Sequence, residues 1–282
     1  MKLTAAAVLL GSLAGSLAAQ EPGPRGINFY PVAREKELGR ALAARLERAL
    51  LMVHEPRLEA YVTLVGAALA KYADPRFDYV FRVYEDRRPG ARPSAPDLVP
   101  AVNGPLMPGD ALRGQAAEPV AVPGGTIFVP MSLLAGAPNE NAFAFQLAHA
   151  VAHIASRHGT RLATRVELTQ MAVEVQPAAQ TYPYGDQVDM VSLAFLRAAE
   201  READYRAVQW MAKAGYDPQT LPDSLAAQPK PPGPKALAVR PLPAERAKAI
   251  RHEIEKLQLA APAAGSQSDA FAEAKALAAA MR

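Results

Sequence analysis

The chain has no cysteine, which excludes a disulfide framework and, behind an export signal, a lipid-bearing cysteine. It also lacks any block of like charge. Its 31 Lys and Arg are dispersed among 28 Asp and Glu for a formal net charge of +3, so no basic stripe argues for a nucleic-acid partner. A long apolar run occurs once, from Leu3 to Ala19 behind Lys2, and Gly11, Ser12, Gly15 and Ser16 interrupt it. So short and broken a run argues against a membrane span and for a secretory signal, residues 1–19, with Ala18 and Ala19 at the cleavage site. The expectation is an exported protein, periplasmic or secreted, with no stable membrane span after cleavage.

What remains is ordinary globular material. The chain has 282 residues, 50% of them hydrophobic, which suffices for one large core or two modest ones. Leu38, Leu42, Leu46 and Leu50 recur at steps of four, predicting an amphipathic helix from Arg34 to Leu51. A second helix, Pro56 to Tyr72, is expected to turn Leu58, Tyr61, Val62, Leu64, Val65 and Leu69 towards a core, with Pro75 stopping its extension. Tyr79 to Tyr84 is rich in β-branched and aromatic residues and reads as a strand. Residues 87–117 shift to Pro, Gly, Arg and Ala with little periodicity, as a long surface excursion does.

Beyond that excursion, Pro119 to Val129 holds short β-prone stretches around Pro123-Gly124-Gly125, a turn by composition. Asn139 is placed to cap the next helix, which should run to Gly159 and end there in a left-handed conformation. Tyr182 to Asp186 reads as a loop, Val188 to Ala214 as a long helix ending at Gly215, and Asp217-Pro218 as the opening of another. Residues 228–243 form a Pro-rich connector. Helices follow from Ala244 to Leu257 and from Ser268 to Met281. The latter lies in an Ala-rich tail, 261–282, that is expected to fray. There is no internal repeat.

Chemistry concentrates in His149-Ala150-Val151-Ala152-His153. Two histidines four apart share one face of a helix, so both rings can reach a cation about 2 Å from each nitrogen. In the H-E-x-x-H arrangement of zinc proteases, the Glu takes a proton from the water that attacks the peptide carbonyl. Ala150 stands in that position and has nothing to titrate. A zinc site needs at least one more protein ligand. The candidate is Glu200, in Ala199-Glu200-Arg201-Glu202-Ala203-Asp204. Asp204, one turn further on the same face, can accept the free ring N–H of a ligating histidine and fix its tautomer.

These residues resemble the zinc metallopeptidases of metallopeptidase family forty-eight, the HtpX and OMA-type periplasmic gluzincins. Asn28-Phe29-Tyr30 with Glu37-Leu38-Gly39 is similar to their amino-terminal helix, and Val122 to Val129 to the strand leading into the active-site helix. Asn139-Glu140 through Arg157-His158-Gly159 is similar to that helix itself. Glu200, Asp204 and Tyr205 with Ala214-Gly215-Tyr216-Asp217-Pro218 resemble the third-ligand segment, and Pro241 to Ile250 the carboxy-terminal segment beside the site.

The resemblance implies a mostly helical α+β zincin-like metallopeptidase fold over residues 20–260, with a small β-sheet beside the active-site helix. It implies one zinc ion held by His149, His153 and Glu200, and a polypeptide substrate or client. It also implies a Glu at position 150, a His where Arg240 stands, and no counterpart to residues 87–117. Arg240 could instead lay its guanidinium near Glu200.

The sequence offers no convincing substitute for the missing base. Glu140 is more than two turns upstream, Gln146 can hold a water but is no base near neutral pH, and the sequence assigns no place to Glu167 or Glu174. His158 reads as a helix-end residue bonding terminal carbonyls, His54 and His252 as solvated, and Trp210 and Met211 as core. Three expectations follow. The chain is a weak or inactive peptidase, a pseudopeptidase that binds zinc and polypeptide without cutting, or a helical scaffold with a vestigial metal site. Oligomeric state is not legible in the sequence.

Overall fold

In a computed structural model, residues 26–86, 118–175, 190–228, 242–259 and 268–281 are described. The expected signal, the 87–117 excursion, the 182–186 loop and Arg240 lie outside them, as does nearly all of the Pro-rich connector. The elements in chain order are α1 (Val32–Ala49), β1 (Leu51–Met52), α2 (Pro56–Ala70), β2 (Val80–Glu85), β3 (Val120–Ala121) and β4 (Thr126–Pro130). Then come α3 (Met131–Gly136), α4 (Glu140–Ala155), α5 (His158–Val175), α6 (Met190–Lys213), α7 (Leu221–Ala226), α8 (Pro243–Lys256) and α9 (Asp269–Ala280). Helices around one small sheet make this an α+β fold.

The sheet has the order β1-β2-β4-β3, with β2 and β4 parallel and both edge strands antiparallel to their neighbours. Side chains alternate across it as the pleat requires. Phe81, Val83, Ile127 and Val129 enter the main core with α2 and α4. Tyr84 and Phe128 face the other way, onto Leu42, Leu46 and Leu50, so the step-of-four leucines are the buried stripe of α1 and its C-terminal cap. A Cβ on Gly39 would lie 1.7 Å from the Pro123 carbonyl oxygen, so only glycine lets α1 come this close to the β3–β4 turn. That turn is a hairpin, and Gly124 within it takes φ +90°, a conformation that costs glycine little.

Three details depart from the sequence expectations. Leu64 is 66% exposed, because at 100° per residue it lies well around α2 from the face shared by Leu58, Tyr61, Val62, Val65 and Leu69. The motif helix does not continue to Gly159. It stops at Ala155 with Ser156 as its cap, and Arg157, φ 57°, takes the left-handed conformation in place of the glycine. Gly159 lies inside α5, where a Cβ would stand 3.0 Å from Pro123 Cγ. Close packing is the reason for that glycine.

The third departure is the Ala-rich end. Ser268 Oγ accepts from the Phe271 N–H and caps α9, while the same residue donates from N and Oγ to Glu140, at 2.8 and 2.9 Å. Phe271 is fully buried against Tyr61. A capped helix with an aromatic anchor in the core is held against fraying, whatever its alanine content.

Candidate metal centre

Asn139 starts α4 as expected: its side chain accepts from the Ala142 N–H at 2.8 Å, satisfying a first-turn donor. The helix is buried along most of its length and packs against α6. His149 and His153 lie one turn apart on α4, while α6 brings Glu200 opposite them and Asp204 one turn beyond.

The three candidate ligands converge. His149 Nε2 and His153 Nε2 are 2.9 Å apart, with Glu200 Oε2 3.4 Å from the former and Glu200 Oε1 3.4 Å from the latter. Ligand bonds of 2.0–2.2 Å at tetrahedral angles place donor atoms about 3.3 Å apart, so each of these pairwise separations is close to what a shared zinc ion requires. Two ring nitrogens facing one another across 2.9 Å must share a proton or a cation. The donor set of two imidazoles and a carboxylate suits zinc. The His149 and Glu200 side chains are 5% and 7% exposed and His153 is 21% exposed, so the trio is approached from the His153 side.

The other nitrogens of the two rings are also engaged. His149 Nδ1 lies 2.8 Å from Asp204 Oδ1. A carboxylate accepts, so this nitrogen carries a proton, and when the ring is neutral Nε2 keeps the lone pair that a metal would take. Arg246 of α8 holds Asp204 with two hydrogen bonds, Nε to Oδ2 at 2.8 Å and Nη2 to Oδ1 at 2.6 Å, and its guanidinium lies over the Phe145 ring. On the other ring, His153 Nδ1 is 3.0 Å from His158 Nδ1, and His158 Nε2 is 3.2 Å from Glu202 Oε2. Glu202 also accepts from Ser156 Oγ and Arg206 Nε, both at 3.0 Å.

Protonation follows from these contacts. For His149, burial favours the neutral ring, but Asp204 and Glu200 together prevail and raise its pKa to about 9. Burial opposes ionisation of Asp204 and Glu200 as well. Arg246 and His149 nevertheless hold Asp204 below the usual carboxylate range, and the two histidines hold Glu200 well below it. His158 goes the other way: burial dominates and pushes it down to about 4, despite Glu202. Glu202 is buried too, yet His158 and Arg206 bring it down to about 2.

Ala150 is 2% exposed and belongs to the main core, and among the described side chains no carboxylate stands in for it. Glu140 is taken up by Tyr61 and Ser268 at the far end of α4. Glu167 accepts from Tyr30 Oη at 2.5 Å, Asp204 is clamped, and Gln146 is a buried amide. Arg246, His158 and Glu202 escaped the sequence reading. His158 does not cap helix carbonyls, because the chain breaks at Arg157 and His158 begins a new helix whose first turn faces His153. Glu202 was visible only as part of the charge run Glu200 to Glu202. Its burial beside a second histidine had no signature in spacing. Trp210 and Met211 are core residues and His252 is exposed, as expected.

Residues 117–254 match Peptidase family M48. The match runs from β3 to near the end of α8 and includes His149, His153, Glu200, Asp204 and Arg246. Over this stretch the chain resembles the zinc metallopeptidases of that family. The match does not separate the HtpX type from the OMA type, and the amino-terminal residues of the expected likeness lie outside it.

Proposed function

From a zinc metallopeptidase-type domain over residues 117–254, we propose a pseudopeptidase: an exported protein that holds one zinc ion and binds polypeptide without efficient cleavage. One observation carries this reading. The donor atoms of His149, His153 and Glu200 all lie within 4.8 Å of one another, close enough to share one metal ion, while the position after His149 bears only a methyl group.

When bound, zinc supplies Lewis-acid polarisation of a carbonyl and lowers the pKa of water. His149 and His153 would present their Nε2 atoms and Glu200 an oxygen. Asp204 orients the His149 ring by accepting its Nδ1–H, and Arg246 orients Asp204. None of these residues is placed to take the proton from an attacking water, a task worth on the order of a hundredfold to ten-thousandfold in rate. Support for export is the apolar run at residues 3–19. Support for a polypeptide client is the family likeness.

Zinc content of the purified protein and chelator-sensitive cleavage of casein or peptides, for the parent and Ala150→Glu, test the proposal. Bound zinc, no chelator-sensitive cleavage by the parent and cleavage by Ala150→Glu are the expected results. Robust chelator-sensitive cleavage by the parent would show that Ala150 does not disable the site. Absence of both zinc and activity in either protein would leave a helical scaffold with a vestigial site.

A further inference from the structure

Arg157 is a non-glycine residue in the left-handed region, with φ 57°, a strain of roughly 1–3 kcal/mol that persists where surroundings enforce it. Here the surroundings are specific. Its Nε donates to Glu35 Oε2 at 2.6 Å and its Nη2 donates to the Tyr30 carbonyl, while Glu35 is buried and also accepts from Thr160 Oγ1 at 3.0 Å. The amino-terminal helix thus anchors the break between α4 and α5.

The break decides where His158 points. In an uninterrupted helix, a residue five positions beyond His153 would lie about 140° around the axis from it. The reversal at Arg157 instead brings the two rings edge to face with centroids 4.9 Å apart and Nδ1 against Nδ1. His158 is buried, with its other nitrogen on Glu202, which already accepts from Ser156 and Arg206. An acceptor so placed requires the proton on His158 Nε2 and leaves a lone pair on His158 Nδ1. His153 must then carry its proton on Nδ1, and its Nε2 lone pair faces His149 and Glu200.

We propose that His158 and Glu202 are positioning residues that fix the tautomer and orientation of His153 and so set the zinc affinity of the site. The inference rests on the metal-holding reading above. Glu202 is the residue that makes the chain directional. An amide there can donate to His158, allow its ring to take the opposite tautomer, and confront His153 Nδ1 with an N–H.

Competition with a chromogenic zinc chelator tests this on the full-length chain for the parent, His158→Phe, Glu202→Gln and His158→Gln. Melting in excess chelator establishes which variants are folded. His158→Phe and Glu202→Gln are expected to weaken zinc binding by roughly 10–100-fold, the usual loss when support of a ligating histidine is removed. His158→Gln, whose carbonyl can accept from His153 while its amide donates to Glu202, should recover part of that loss, which a packing role alone would not predict. If the parent binds zinc and the folded Phe and Glu202→Gln variants bind it equally tightly, the inference fails while the metal-holding reading stands. If the parent binds no zinc, both fail.

Discussion

His149 and His153 sit one turn apart on the same helix, yet they are held in opposite ways. His149 leans directly on a carboxylate, Asp204, which is locked by the buried guanidinium of Arg246. His153 leans on a second imidazole, which passes the contact on to Glu202 and then to the partly exposed Arg206. The first arm is a compact set of buried charges. The second reaches outward through a ring that burial keeps neutral. Charge fixes the first histidine, and the course of the backbone fixes the second.

The sharpest way to break this contrast is at the two arginines. Arg246→Met removes one member of a buried pair and leaves Asp204 uncompensated, which should cost about 3–5 kcal/mol of stability by urea unfolding. A loss under about 1 kcal/mol would mean that Asp204 is better hydrated than its burial implies. Next in size is Asp204→Asn, which keeps the shape but no longer enforces a proton on His149 Nδ1. Chelator competition should show zinc affinity lower by roughly 10–100-fold, and unchanged affinity would show that the first arm supports the fold alone.

Opposite pH dependence in the zinc-free protein sharpens the comparison. His149 is raised to about 9 from 6.5, so its contribution to stability is fully present below pH 6.5 and lost as pH rises through about 9. His158 is lowered to about 4 from 6.5, so its contribution is present above pH 6.5 and lost as pH falls through about 4. Melting temperatures across this range should therefore lose their alkaline decline in His149→Gln and soften their acid decline in His158→Gln. Matching slopes in the two variants would erase the distinction between the arms. The smallest effect belongs to Arg206→Met. Its side chain is 26% exposed, and about 1 kcal/mol or less should be lost in the same urea assay; a loss as large as that of Arg246→Met would make the arms equivalent.

The first arm was legible in the sequence as far as Asp204 and the second was not, for a physical reason. Helical spacing relates His149 to His153 and Glu200 to Asp204, and the family resemblance joins the two pairs into one ligand set. Arg246 approaches from α8, beyond a Pro-rich stretch, and no local rule brings it to Asp204. His158 was misread because the position that ends α4 is Arg157, not Gly159. A left-handed arginine stabilised by Glu35, 122 residues away in sequence, leaves no local trace. Much the same holds for the fold. The cap at Asn139, the helix opening at Asp217-Pro218 and the stripe of α1 were readable, while the burial of α9 depended on Tyr61 and Glu140 at distant positions.

The central claim is that this chain retains a working zinc cradle around a position that no longer bears a base. The most direct test is the zinc stoichiometry of the folded, purified protein, measured by elemental analysis beside Glu200→Gln. We predict about one zinc per chain in the parent and a marked loss in the variant, as a mononuclear site of three protein ligands requires. A well-folded parent that takes up no zinc from a zinc-containing buffer would contradict the account.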